Sequence, residues 1–224
     1  MPAHLRPTAP IAPDAVLVGD PGRALLLAQE LLEEPKMSNH ARGLWGYSGR
    51  TPAGAALTIQ ATGIGGPSAA LILGELAELG VRRAVRVGTC AGAGEGIELG
   101  QLLVVSAAVA AGGSATSVGL DVGETVGPDP GLTERLGVEL AGEGRSATVA
   151  SVDTHPGETA PTPGVVATDM QTAPLLARGR SLGIATAAIL IVVETGSGER
   201  ALGREALELA EKRAGRAAYA VLSA

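Results

Sequence analysis

Arg23, Arg86, Thr89 and Glu194 all stand where an apolar run gives way to glycine or to a helical period, the place where open α/β sheets bind ligands. In VLVGDPGRALLLAQELL the run ends in Gly19-Asp20-Pro21-Gly22, and Arg23 opens the helix that follows. Glycine lets an anion approach the backbone, first-turn N–H groups face it, and arginine supplies a bidentate fork for phosphate. A turn with a solvated arginine is the plainer reading, because Asp-Pro-Gly is common turn chemistry.

A second joint, AVRVGTCAGAG, places Arg86 inside an apolar strand with Gly88-Thr89-Cys90-Ala91-Gly92 at its carboxyl end. An arginine buried there needs either an anion or a structural carboxylate partner, and Thr89 can offer its hydroxyl and N–H to the same anion. In ATGIGGPSAALILGEL, Gly65, Gly66 and Ser68 either shape an anion site or cap a helix with Pro67 in its first turn. In AAILIVVETGSGER a fully apolar strand delivers Glu194 to its end, where it acts as a proton donor or as an ordinary capping glutamate. The last joint, VATDMQTAPLLARG, sets Asp169-Met170-Gln171 between a strand and a helix.

These residues require an α/β scaffold, and the pattern supplies one: short Val- and Ile-rich runs bounded by glycine alternate with helical segments, as in a single domain built on a largely parallel sheet. Strands are expected at 15–18, 56–61, 84–87, 102–107, 147–151 and 185–193, and helices at 22–33, 67–79, 130–141, 172–182 and 200–222. Segments 112–127 and 155–164 read as loops. Pro174 falls in the first turn of its helix, where a missing N–H is tolerated.

Composition narrows the function classes. The 224 residues carry a net charge of −6 with no basic stripe, which argues against nucleic acid as a partner. Alanine and glycine far outnumber aromatics, so the core is expected to pack small side chains closely. A single cysteine, Cys90, allows no internal disulfide. With no signal-peptide pattern and no 18-residue apolar run, a cytoplasmic protein without membrane association is expected.

Taken in order, the segments resemble the nucleoside phosphorylase family, specifically its hexameric purine nucleoside phosphorylase and uridine phosphorylase branch. GDPGRA is similar to the family's GDPxR turn, NHARGLWGYSG to xxRGxxGYTG, ATGIGGPSAALILGEL to GxGMGxPSAxIxxxEL, and VRVGTCAGAG to IRVGTCGA. The resemblance covers nearly the whole chain, 1–224, and implies one α/β domain with a central mixed, partly barrel-like sheet flanked by helices. It also implies phosphorolysis of a nucleoside, with inorganic phosphate as co-substrate and neither cofactor nor metal.

By that resemblance Gly19, Arg23, Arg86 and Thr89 hold phosphate, with Arg42 reaching in from a neighbouring subunit of a hexamer built as a trimer of dimers. His4 serves the neighbour's sugar, Met170 and Gln171 contact the sugar, and Cys90, Ala91, His155 and Glu194 meet the base. Arg86 and Glu194 are the catalytic pair, the latter standing where the purine branch has its general-acid aspartate in TVSDH. Val152, Val166 and Ala167 are candidates for the wall of the base pocket.

Departures from the pattern shape the substrate expectation. His155 replaces a stacking aromatic, and Glu158 and Ala160 stand where uracil-reading glutamine and arginine are found, so a purine nucleoside is favoured over uridine. Arg200 and Arg204 are both candidates to support Glu194. DMQTA replaces EMEAA, so Gln171 lacks the charge of the glutamate that grips the sugar hydroxyls, and Gln171→Glu is expected to speed turnover of ribonucleosides. A nucleosidase, a uridine phosphorylase and a binding relative without turnover are the alternatives; the GDPxR turn disfavours the first.

Overall fold

The computed structural model describes residues 2–93, 96–156, 163–195 and 200–223, with Arg200 described in its backbone only. The first half comprises β1 (Asp14–Val18), α1 (Pro21–Leu31), β2 (Glu33–Asn39), a 3-10 turn (Ala41–Gly43), β3 (Gly46–Arg50), β4 (Ala56–Ala61), α2 (Gly66–Glu78) and β5 (Arg83–Gly92). There follow β6 (Leu102–Ala110), α3 (Gly113–Thr116), β7 (Thr125–Val126), α4 (Pro130–Glu139) and β8 (Gly144–Ser151). The chain closes with β9 (Ala167–Asp169), α5 (Thr172–Leu182), β10 (Ala185–Thr195), β11 (Arg200–Ala201) and α6 (Arg204–Leu222).

β5 organises the sheet. It pairs in parallel with β1 on one side and β10 on the other, and its last residues pair antiparallel with β9. β10 continues to β6, β6 to β8, and β8 back to β9, so five strands form a closed mixed ring. From β1 an open wing runs through β4 and β3 to β2. The mixed, partly barrel-like sheet expected from the family resemblance is present, flanked by helices on both faces.

Strand periodicity sorts the core. On β10, Leu190 and Val192 belong to one buried cluster with Leu73 and Leu76 of α2 and Leu175 of α5, whereas Ile189 and Ile191 belong to a second with Leu27 of α1, Leu136 of α4 and Val221 of α6. The abundance of small residues has a structural use here: a Cβ on Gly215 of α6 would lie 2.5 Å from Leu27 Cδ2, so glycine lets α6 seat closely on α1.

Two differences from the sequence expectation matter for the site. β5 does not stop at Val87 but runs through Gly92, because Thr89 to Gly92 pair with β10 and β9. β10 extends to Thr195, with a register shift between Val192 and Glu194; such a bulge bends a strand and re-aims its side chains.

Elsewhere, β2 and β3 were absent from the expected elements. β2 is an edge strand whose EEPKMSN sequence carries proline, charges and a left-handed Glu34 (φ 46°), features that blunt an edge and also hide it from an alternation pattern. Segment 112–127 is not all loop, since it holds α3 and β7. α6 starts at Arg204 rather than 200, because Arg200 and Ala201 pair with Thr195 and Glu194 as β11.

Candidate active site

Gly19, Arg23, Arg86, Thr89, Cys90, Ala91, His155, Met170, Gln171 and Glu194 all line one cavity of about 600 Å³. The topology explains the convergence, since β1, β5 and β10 run parallel and their carboxyl ends open on the same side. Arg86 and Ala91 lie five residues apart on β5, roughly 16 Å of extended strand, and Glu194 sits in register with Ala91. The cavity therefore has Arg86 rooted deep in the sheet and Glu194 at its rim.

Arg86 is 4% exposed and its guanidinium is tightly held. Nη2 donates to Asp169 Oδ2 at 3.0 Å, Nη1 to Gln171 Oε1 at 2.5 Å and Nε to Thr172 Oγ1 at 3.3 Å. Gly88 makes this possible, because a Cβ there would lie 2.5 Å from both Cζ and Nη2 of Arg86. Burial lowers the Arg86 pKa from its ordinary value, the Asp169 carboxylate works against that shift, and the charge of Arg23 adds to it. The carboxylate partner posed as one alternative for a buried strand arginine is thus present, and the residue still faces the cavity.

Asp169 gathers the joint. Besides Arg86 it accepts from Ser151 Oγ, from the backbone N–H groups of Gln171 and Thr172, and from Thr172 Oγ1. It thereby receives the N–H groups that lead into α5 while pairing the arginine, two uses of charge at a helix start. Gln171 is likewise occupied: its Nε2 donates to the carbonyls of Gly63 (2.6 Å) and Gly65 (3.2 Å).

At the start of α1, Asp20 caps the helix by accepting from Arg23 N at 2.8 Å, with Pro21 in the first turn. The Arg23 side chain, 8% exposed, donates from Nε to Glu211 Oε1 of α6 at 2.6 Å. It is neither solvated nor alone, contrary to the plain-turn reading.

At the rim, Glu194 Oε2 lies 3.6 Å from His155 Nε2, and both follow or flank strand ends that open on the cavity. Cys90 is buried, its Sγ 3.6 Å from the Ile191 carbonyl, and burial pushes the thiol well above its usual pKa. It is a neutral wall, not a nucleophile.

A model of the phosphorylase superfamily matches residues 13–224. The chain belongs to the phosphorylase superfamily. Purine nucleoside phosphorylase DeoD-type from Oceanobacillus iheyensis is 44% identical over 81 residues, 36% of this chain and 34% of that protein. The same type from Clostridium beijerinckii is 36% identical over 110 residues, 48% and 46% of the two chains. The chain thus spans between a third and a half of the length of these curated relatives. Among solved structures, a purine nucleoside phosphorylase from Toxoplasma gondii in complex with immucillin-H superposes with a TM-score of 0.83 at 23% identity, covering 95% of this chain and 91% of that one. A uridine phosphorylase from Vibrio fischeri gives 0.81 at 22%, covering 95% and 92%; both likenesses establish the superfamily fold.

Not every expected residue joins the cavity. His4 and Arg42 line a separate hollow of about 230 Å³ with Arg6 and His40. His4 is fixed by Glu75 of α2, whose carboxylate accepts from His4 Nδ1 at 2.7 Å and from the N–H groups of Ala3, His4 and Leu5. Arg42 is exposed and holds a left-handed backbone (φ 58°) in the 3-10 turn, a conformation that is costly outside glycine. Val152, Val166 and Ala167 are buried or partly buried residues beside the ends of β8 and β9 rather than cavity lining. Glu158 and Ala160 lie outside the described residues, as does the side chain of Arg200.

Asp169 and Glu211 are neighbours of the cavity arginines that sequence reasoning did not assign, whereas Gly65, one of the glycines expected to shape an anion site, does line the cavity with Gly63. Asp169 had a signal, since a buried strand arginine demands a carboxylate and a capping aspartate two residues before Gln171 could supply it. Glu211, on a helix 188 residues away, had none.

Proposed function

We propose that this superfamily member catalyses phosphorolysis of a nucleoside, most suitably a purine nucleoside, at the 600 Å³ cavity. A phosphate oxygen attacks C1′, the bond from C1′ to the base nitrogen breaks, and its electron pair leaves with the base, which takes a proton from Glu194. The products are free base and ribose or deoxyribose 1-phosphate. The observation that carries the reading is that two buried arginines, Arg23 and Arg86, line one cavity with Gly19, Thr89 and Glu194. Each is already carboxylate-paired, which fixes its geometry and leaves guanidinium N–H groups for a bound anion. An arginine-held phosphate supplies nucleophile and counter-charge to a cationic sugar, so catalysis is mainly positioning and electrostatics.

In this reading Met170 packs on the sugar, Gln171 borders it, and Cys90, Ala91 and His155 surround the base. His4 and Arg42, outside the cavity of their own chain, complete that of a neighbour in a cytoplasmic homohexamer; the exposed, left-handed Arg42 supports this. Phosphate is the co-substrate and no cofactor or metal is required. Described helices are none of them long and apolar enough to cross a membrane. Phosphorus NMR of a reaction with inosine tests the chemistry: a sugar 1-phosphate resonance is expected, whereas free ribose assigns a nucleosidase. A nucleoside- or phosphate-binding protein without turnover is the second reading, favoured by the close engagement of Arg86 by Asp169 and Gln171; absence of any product would assign it.

A further inference from the structure

Gln171 is 3% exposed and each end of its carboxamide has a protein partner. The orientation is fixed by chemistry, because Arg86 can only donate and the carbonyls of Gly63 and Gly65 can only accept. The oxygen therefore faces Arg86 Nη1 and the nitrogen faces the two carbonyls. Gly63 and Gly65 both have positive φ, 79° and 82°, which glycine adopts without steric cost, so the bend is open to several conformations and the two hydrogen bonds from Gln171 hold it in this one.

We propose that Gln171 is a positioning residue whose carboxamide clamps the 63–65 bend to the Arg86 guanidinium, and that an amide is required there for the anion-binding part of the cavity. This rests on the phosphorolysis reading of the cavity. A carboxylate cannot do the same task. It would set an anionic oxygen against the Gly63 carbonyl at a separation that is 2.6 Å for the amide nitrogen, and it would swing toward Arg86 and compete with phosphate for that charge. An apolar chain of similar length would leave two carbonyls and an arginine N–H without their partner. The proposal runs opposite to the expectation drawn from sequence, that Gln171→Glu speeds turnover.

The test compares wild type, Gln171→Glu and Gln171→Met by calorimetric titration with inorganic phosphate alone, and by phosphate KM and kcat with inosine. Both variants are expected to bind phosphate at least about tenfold more weakly, the scale of one lost charge-assisted hydrogen bond, with a larger change in phosphate KM than in kcat. Among the described residues, Arg86 and Asp169 bond to Gln171 directly, and Asp20, Arg23, His155 and Glu194 line the same cavity. As pH falls toward the carboxyl range, the introduced glutamate regains a proton to donate, so the affinity of Gln171→Glu relative to wild type should recover while that of Gln171→Met stays flat. Wild-type-like binding by Gln171→Met, or a flat ratio for Gln171→Glu, overturns the clamp. Should either variant fail to fold, nitrogen-15 NMR of the wild type decides: the Gln171 side-chain amide hydrogens should exchange slowly and shift on addition of phosphate, and exchange at the rate of an exposed glutamine overturns the proposal. Failure of the wild type itself to bind phosphate contradicts the phosphorolysis reading, and the amide-exchange result still judges the clamp separately.

Discussion

Arg86 and Asp169 form an ion pair at 3.0 Å in which the arginine side chain is 5% exposed and the aspartate side chain fully buried. The pair joins the centre of β5 to the start of α5 and places a fixed positive group in the cavity. Removing one partner of such a pair leaves an uncompensated buried charge, at a cost of about 3–5 kcal/mol. Asp169→Ala is therefore expected to lose that much stability in urea denaturation, and more than Arg86→Met, which strands the Asp169 carboxylate but leaves it the hydrogen bonds from Ser151, Gln171 and Thr172. Equal and small losses for the two variants would show that the pair does not organise the joint.

Gly88 is expected to tolerate no side chain. A Cβ would meet Arg86 Cζ and Nη2 at 2.5 Å and Leu190 Cδ2 at 2.9 Å, so Gly88→Ala must displace the guanidinium. Overpacking of this kind costs about 1–3 kcal/mol, and the phosphate KM should rise more than about tenfold if Arg86 holds the anion. Unchanged phosphate saturation in a folded Gly88→Ala enzyme would remove Arg86 from the anion site.

Glu194 is expected to act on the leaving base alone. Glu194→Gln keeps the shape of the rim and removes the proton donor, so kcat should fall by about 10² to 10⁴, the usual contribution of general acid catalysis. Phosphate affinity measured without nucleoside should stay unchanged, since Glu194 pairs with Ala91, five residues along β5 from Arg86. A fall in phosphate affinity with kcat preserved would reverse the roles.

The N-terminal segment should detach in acid. Burial opposes ionisation of Glu75, but hydrogen bonds from Leu5, His4 and Ala3 outweigh it and hold the carboxyl below its ordinary value. A depressed folded-state pKa gives stability that is present above the unfolded carboxyl value of about 4.3 and is lost as pH falls through the folded one. Hydrogen exchange at the Ala3, His4 and Leu5 amides should accelerate in that window, and Glu75→Gln should release them already at neutral pH. Amides that remain protected in Glu75→Gln would show that other contacts secure the segment.

How much of this was legible depends on the kind of signal each residue carries. Segments 56–61 and 172–182 coincide with β4 and α5, because alternation, a proline in the first turn and a left-handed Gly183 at the end are local features. β2 escaped notice because its proline and charges suit a sheet edge. The cavity residues converge because three parallel strands share a carboxyl edge, which residue order and glycine placement conveyed. Partners did not: Glu211 meets Arg23 across 188 residues, and the amide of Gln171 is explained only by two carbonyls more than 100 residues earlier. Long-range pairing is a property of the fold, and no local pattern records it.

Phosphate is the proposed attacking group at a cavity built around Arg23 and Arg86. Free-base release from inosine, adenosine, uridine and methylthioadenosine, followed with and without inorganic phosphate, tests it most directly. The account predicts release that requires phosphate, saturates with it, and is faster for the purine nucleosides than for uridine; release at the same rate without phosphate, or none from any of the four, would contradict it.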